Sequence, residues 1–235
     1  MRSSLALILC FCLPLSLMSL DQLNITHSPY RESMMGTLSF KFSLNGKVFK
    51  EHVVFAMTKR AHEISRFIGN LCRNISEDPK EGLPSYKNSP AYSWEQGKYF
   101  EIGKILKNQN LEDASSSGES VAENNTFVYR DDRSTISAGK IRTSHEGSVI
   151  SMVLDEEEFQ KGLQDGSFPL NSRIMISNTS MKEFDQKNIV FGFLIGGGKV
   201  LDTLLSEKLL GKMSPDHIKI ETCYDPEFNR SNNDM

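Results

Sequence analysis

Several side chains in this 235-residue sequence have the type or the neighbours to do chemistry. Asn24, Asn74, Asn124, Asn178 and Asn229 each stand in an Asn-x-Ser/Thr triplet, the acceptor pattern for N-linked glycan. Of four cysteines, Cys10 and Cys12 lie in an apolar N-terminal stretch, which leaves Cys72 and Cys223 as an even pair able to form one disulfide. Gly196-Gly197-Gly198-Lys199 has the composition of a phosphate loop. It lacks the Gly-x-x-x-x-Gly-Lys-Ser/Thr spacing and reads as a turn before a helix. The five histidines (27, 52, 62, 145 and 217) form no i,i+4 pair and have no cysteine at metal-ligand spacing, so no metal and no cofactor is expected. Ser148 and Ser151 have no Gly-x-Ser-x-Gly elbow around them, so hydrolase chemistry has no support. Asp155-Glu156-Glu157-Glu158 reads as a solvated charge run.

Composition and compartment narrow the class. The chain is 38% hydrophobic and 24% charged, with a formal net charge of -3, near the average for a globular protein. No basic run is present, which argues against a nucleic-acid partner, since that needs a cationic surface to displace counterions. Residues 1–20 carry one positive charge, Arg2, then an apolar stretch from Leu5 to Leu17 and a small residue, Ser19, near the exit. That is the pattern of a secretory signal peptide. Ile189 to Leu201 is the most apolar later segment, but it is short and broken by glycines, so no membrane span is expected once the signal is removed. The expected location is outside the cell or in the secretory lumen.

These residues need elements to position them. Residues 21–36 read as an irregular lead-in. Leu38 to Leu44 alternates apolar and polar residues, a half-buried strand. Asn45-Gly46 follows, a strong hairpin signal, because both residues tolerate positive φ. His52 to Met57 is the return strand. Ala61 to Cys72 places Ile64, Phe67, Ile68 and Leu71 at helical spacing. Short strands are expected between Tyr92 and Ile105, and a surface loop from Asn108 to Arg133. Further strands are expected at Ser148–Leu154, Arg173–Ser177, Asn188–Ile195 and His217–Thr222, with an acidic excursion from Asp155 to Phe168 and a helix from Lys199 to Leu210. Many short strands with two helices in one unit indicate a closed or nearly closed sheet.

The order of these pieces resembles the cyclophilins, peptidyl-prolyl cis-trans isomerases built as an eight-stranded barrel capped by two helices. Phe67 to Cys72 resembles the family's NFRALC helix end, and Tyr86 to Pro90 its YKGSPFHR element. Gly118-Glu119-Ser120 matches its short GES or GKS element. Gly147 to Met152 is similar to GILSMAN, and Ser172 to Ser177 stands where SQFFIT stands. Asp185 to Gly192 is similar to DGKHVVFG, and Ile218 to Cys223 to ITIADC. The resemblance implies a mainly β fold, a closed eight-stranded antiparallel barrel capped by two α-helices. It spans residues 37–224, with insertions near 106–140 and 155–168, and a tail at 225–235. It also brings Cys72, at a helix end, towards Cys223, at the end of the last strand, and so implies a disulfide between them.

The same alignment implies that the isomerase groove has changed. The family's arginine hydrogen-bonds the prolyl amide and weakens its double-bond character against a barrier of about 18–20 kcal/mol. That position falls on Ser93. The groove phenylalanine, methionine and glutamine fall on Lys98, Tyr99 and Glu101, and the peptide-binding Ala-Asn pair on Val153-Leu154. The piece lining the proline pocket becomes Arg173-Ile174-Met175. The tryptophan, leucine and histidine positions are Glu183, Phe184 and Asn188. A hydroxyl at 93 cannot supply a charged fork of donors. The expectation is a secreted or lumenal cyclophilin-like module that binds a protein or proline-containing peptide, with its isomerase chemistry lost. A competing expectation is a weak prolyl isomerase that assists folding in the secretory pathway through apolar capture of proline by Met175 and Phe184.

Overall fold

A computed structural model describes residues 34–76, 84–106, 126–206 and 217–224. Strand β1 (Met34–Leu44) begins the architecture, so residues 34–36, expected as irregular lead-in, are already paired. Asn45 and Gly46 take φ of 53° and 75°, the left-handed pair that a tight hairpin needs. The short β2 (Lys47–Val48) pairs back on Ser43 and Leu44. Strand β3 (Val53–Thr58) then runs antiparallel to the first half of β1, with Leu38 opposite Phe55. Helix α1 (His62–Ser76) buries Ile64, Phe67, Ile68 and Leu71, the stripe its spacing predicts.

The middle of the chain supplies β4 (Ser93–Glu95), β5 (Tyr99–Ile102), β6 (Lys104–Leu106), β7 (Thr126–Val128) and β8 (Arg130–Ser137). The last two overturn part of the expected 108–133 loop, because 126–128 and 130–137 are strands paired with β6 and with β10 (Ser167–Asn171). After β9 (Val149–Val153) comes α2 (Glu156–Asp165). The expected acidic excursion is therefore a third helix, where two were expected. Strands β11 (Ile174–Ser177) and β12 (Asn188–Gly196), helix α3 (Gly198–Leu205) and β13 (Ile218–Tyr224) complete the described chain. Helix α3 stops at Leu205, short of the expected Leu210.

Eight strands form one antiparallel path, β13-β1-β3-β12-β9-β11-β5-β4. The ladder is an open, curled half-barrel. Beyond β4's end of the path, the Asn88–Ala91 segment exchanges backbone hydrogen bonds with Ile218 and Ile220 of β13. Alternate residues of each strand point into the curl. There Phe42 of β1 meets Phe100 of β5 edge to face, 5.5 Å between ring centroids, and Phe40 meets Phe55 in the same way at 6.2 Å. Each such ring taken fully out of water contributes roughly 1.5–3 kcal/mol. Cys72 of α1 and Cys223 of β13 form a disulfide, with Cα atoms 5.0 Å apart.

Candidate functional site

The residues turned away from the core form a row across five strands. Directly opposite residues of antiparallel strands share a face. Ser93 stands opposite Glu101, Glu101 opposite Met175, Met175 opposite Ser151, and Ser151 opposite Val190. Their sequence neighbours Phe100, Ile102, Ile174, Ile176, Ile150, Met152, Ile189 and Phe191 fill the core. Six of the eleven positions assigned to the groove, Ser93, Tyr99, Glu101, Val153, Met175 and Asn188, therefore fall on the outward phase of their strands. Arg173 lies just before β11 on the same alternation. Leu154 does not join them, because it points into the core cluster.

The floor is held by a backbone crossing that only glycine permits. Gly103 has φ of 103°, and a Cβ there would meet the Ser172 carbonyl oxygen at 1.9 Å. The Ser172 hydroxyl donates to the Gly103 carbonyl at 2.6 Å, and the buried Tyr86 hydroxyl donates to the Ser172 carbonyl at 2.8 Å. The Ser89 hydroxyl donates to the Lys104 carbonyl at 3.0 Å. Satisfied buried hydrogen bonds of this kind fix a strand's position. Here they fix β5 against the chain leading into β11.

At one end of the row lies a charged cluster. Arg173 donates through its two terminal nitrogens to Asp155 at 2.9 Å and Glu158 at 3.1 Å, and Glu158 also pairs with Arg130. The Arg173 Nε is buried without a hydrogen-bond partner among the described residues. Burial pushes the Glu101 carboxyl above its ordinary value, partly opposed by Tyr92, Arg173 and Lys104. Burial also drives the Tyr92 hydroxyl up. That hydroxyl lies beside the Glu101 carboxyl, and Lys104 Nζ sits 4.6 Å over its ring. An unpaired carboxylate here is costly. The surroundings of Ser93 thus shift Glu101 towards its protonated form, with Arg173 and Lys104 as the cations that act on it.

At the other end of the row the outward side chains are covered by their neighbours. Met175 has no exposed surface and Asn188 has 2%, and the Asn188 amide reaches the Met175 sulfur at 3.7 Å. Phe184, in a short turn of helix over Lys182–Phe184, packs edge to face on Tyr99 at 5.0 Å. Lys98, in the turn before β5, pairs with Glu95 and reaches Glu183 at 4.0 Å. His145 lies against Phe184, its side chain fully buried. Its Nδ1 is within 2.8 Å of the Thr143 carbonyl and 3.1 Å of Asp185 Oδ1. Both neighbours accept, so Nδ1 carries the proton. Nε2 is buried without a partner among the described residues. Burial lowers the basicity of His145 further than Asp185 raises it.

The residue types alone did not single out Tyr92, Ser151, Asp155 or Glu158 as groove members, and His145 drew notice only as an isolated histidine. Among the described residues no three His, Cys, Asp or Glu side chains are grouped to hold a metal ion, and no helix is long and apolar enough to cross a membrane. Of the five glycan acceptors, Asn178 is described with its surroundings and Asn74 lies in α1. Asn24, Asn124 and Asn229 fall outside the described residues, as do residues 1–33, Gly118-Glu119-Ser120 and the 225–235 tail.

No family model and no curated protein matches the chain. Among solved structures it is similar to the Mimivirus cyclophilin, at 16% identity over 81% of this chain and 88% of that one, with a TM-score of 0.48. It is also similar to a cyclophilin-type peptidyl-prolyl cis-trans isomerase of Cryptosporidium parvum, at 15% identity over 81% of this chain and 96% of that one, TM-score 0.46. The chain resembles cyclophilins. At such identities the likeness is one of fold.

Proposed function

We propose that this cyclophilin-like chain is a protein- or peptide-binding module of the secretory route that does not isomerise prolyl bonds. The observation that carries the reading is the row Ser93–Glu101–Met175. Prolyl isomerisation needs a fixed cationic donor at the prolyl amide and a pocket for the ring. At this position stand a hydroxyl, a carboxyl that burial holds towards its neutral form, and a methionine with no exposed surface. Arg173, a cation that acts on Glu101, has both terminal nitrogens committed to Asp155 and Glu158. The reading includes closure of the curled sheet into a barrel through the Asn88–Ala91 segment and β13. Support for the secretory route comes from the signal-like residues 1–20, from five glycan acceptors, and from a disulfide of the kind that persists in oxidising compartments.

Apolar capture of proline by Met175 and Phe184 would give a weak isomerase. The complete burial of Met175 stands against it. A titration of the full protein with an isotope-labelled proline-containing peptide tests the proposal. Peptide resonances that shift on binding, with no added cis-trans exchange, are the expected result. Exchange peaks that grow with protein concentration would overturn the inactive reading, and the absence of any shift would overturn the binding one.

A further inference from the structure

We infer that Asn178 carries an N-linked glycan and that this glycan flanks the groove at Lys98, limiting what the groove admits. The second half rests on reading the outer face as the binding surface, and both rest on the secretory route. Asn178-Thr179-Ser180 follows β11 directly, and Thr179 and Ser180 are exposed. The Asn178 backbone N–H donates to the Lys98 carbonyl at 2.8 Å. The preceding residue, Ser177, stands opposite Tyr99. The acceptor is thus tied to the strand start that carries two groove positions, Lys98 and Tyr99. Six residues further on, Phe184 closes over Tyr99.

The side chain is half-exposed and already oriented. Its Nδ2 donates to Asp202 of α3 at 2.5 Å, and the Ser148 hydroxyl reaches the Asn178 Oδ1 at 3.4 Å and the Asn178 backbone carbonyl at 3.1 Å. Glycosylation forms a bond from Nδ2 to the anomeric carbon of a lipid-linked oligosaccharide donor. The carbon–oxygen bond to the lipid diphosphate breaks, the diphosphate leaves with that electron pair, and one amide hydrogen departs as a proton. The second amide hydrogen remains, so Nδ2 keeps one donor after modification. The glycan then leaves from a tethered amide, between α3 and the β4–β5 turn, whose Gly97 N–H donates to the Leu205 carbonyl at 2.9 Å.

The test uses the full protein secreted from a eukaryotic host. Glycopeptide mass spectrometry reads occupancy at each acceptor, and an amine-reactive ester reads access to Lys98, with exposed Lys47 as reference. The expected result is a glycan at Asn178, and Lys98 labelling that rises several-fold after glycosidase trimming and in Asn178→Gln, with Lys47 unchanged. An unmodified Asn178 beside modified acceptors elsewhere overturns the inference and leaves the secretory reading standing. No glycan at any acceptor overturns both. A glycan at Asn178 whose trimming leaves Lys98 labelling unchanged overturns the limiting role.

Discussion

Ser93 and Glu101 face each other across β4 and β5, and each limits what the other can do. An arginine restored at 93 would stand beside the Glu101 carboxyl and ionise it, forming a pair with that carboxylate in place of a prolyl amide. Ser93→Arg alone is therefore expected to leave prolyl isomerisation at the uncatalysed rate, read by peptide exchange. The pH dependence of stability has opposite signs at the two ends of the groove. Glu101 has a folded-state affinity for its proton above the unfolded one, so its contribution is present at low pH and lost as pH rises above about 4.3 and through the raised value. Denaturant melts from pH 4 to 8 should show wild type losing stability relative to Glu101→Gln. His145 is shifted down, so its contribution is complete above about pH 6.5 and is lost as pH falls through the depressed value. His145→Gln should be less sensitive than wild type to acid below pH 6. The sequence gives the type of these residues but not their burial. That burial is set by Met175, Phe184 and Tyr92, which come from different elements.

Among the elements, α2 separates what was readable from what was not. Its charge run, Asp155 to Glu158, reads as solvated surface when counted by polarity alone. Its ends carry helix signals all the same. The Asp155 N–H donates to the Glu158 carboxylate at 2.8 Å, half of a capping box, and Gly166 takes φ of 73° at the C-cap. Its short apolar face is Phe159 and Gly162 packed on Phe168 of β10, where a Cβ on residue 162 would meet the ring at 2.1 Å. One aromatic and one glycine make too sparse a stripe to show helical period. By contrast the α1 stripe and the Asn45-Gly46 turn were legible, because local chemistry alone dictates them. Arg173 ties the start of α2 to β11. Arg173→Ala should cost about 2 kcal/mol of stability, by leaving two carboxylates short of a charged hydrogen bond. It should also speed amide exchange in residues 156–165 more than in α1. Equal acceleration in both helices would contradict this local account.

Across the whole molecule, the order of strands was legible because apolar alternation and family-like pieces recur through residues 38–224, and the inward residues Phe40, Phe42, Phe55 and Phe100 meet as that order requires. The pairing of 126–137 was not, since β7 has only three residues and β8 is almost wholly polar, each held in a two-stranded sheet, so neither carries a readable apolar period. The disulfide joins residues 151 positions apart, and on the chain-entropy model such a link contributes about 5 kcal/mol. Cys72→Ser with Cys223→Ser should lower the denaturant midpoint and steepen the slope, because the unfolded chain is no longer held compact. An unchanged midpoint would mean that the helix α1 to β13 packing holds without it.

The proposed binding module without isomerase activity turns on the row Ser93–Glu101–Met175. The direct measurement is the cis-trans exchange rate of a proline-containing peptide with catalytic amounts of the wild-type protein. Uncatalysed exchange takes roughly 10–100 s at 25 °C. The account predicts that this rate stays unchanged as protein is added. Acceleration proportional to protein concentration, and lost in Arg173→Ala, would contradict it and make Arg173 the donor that Ser93 is not.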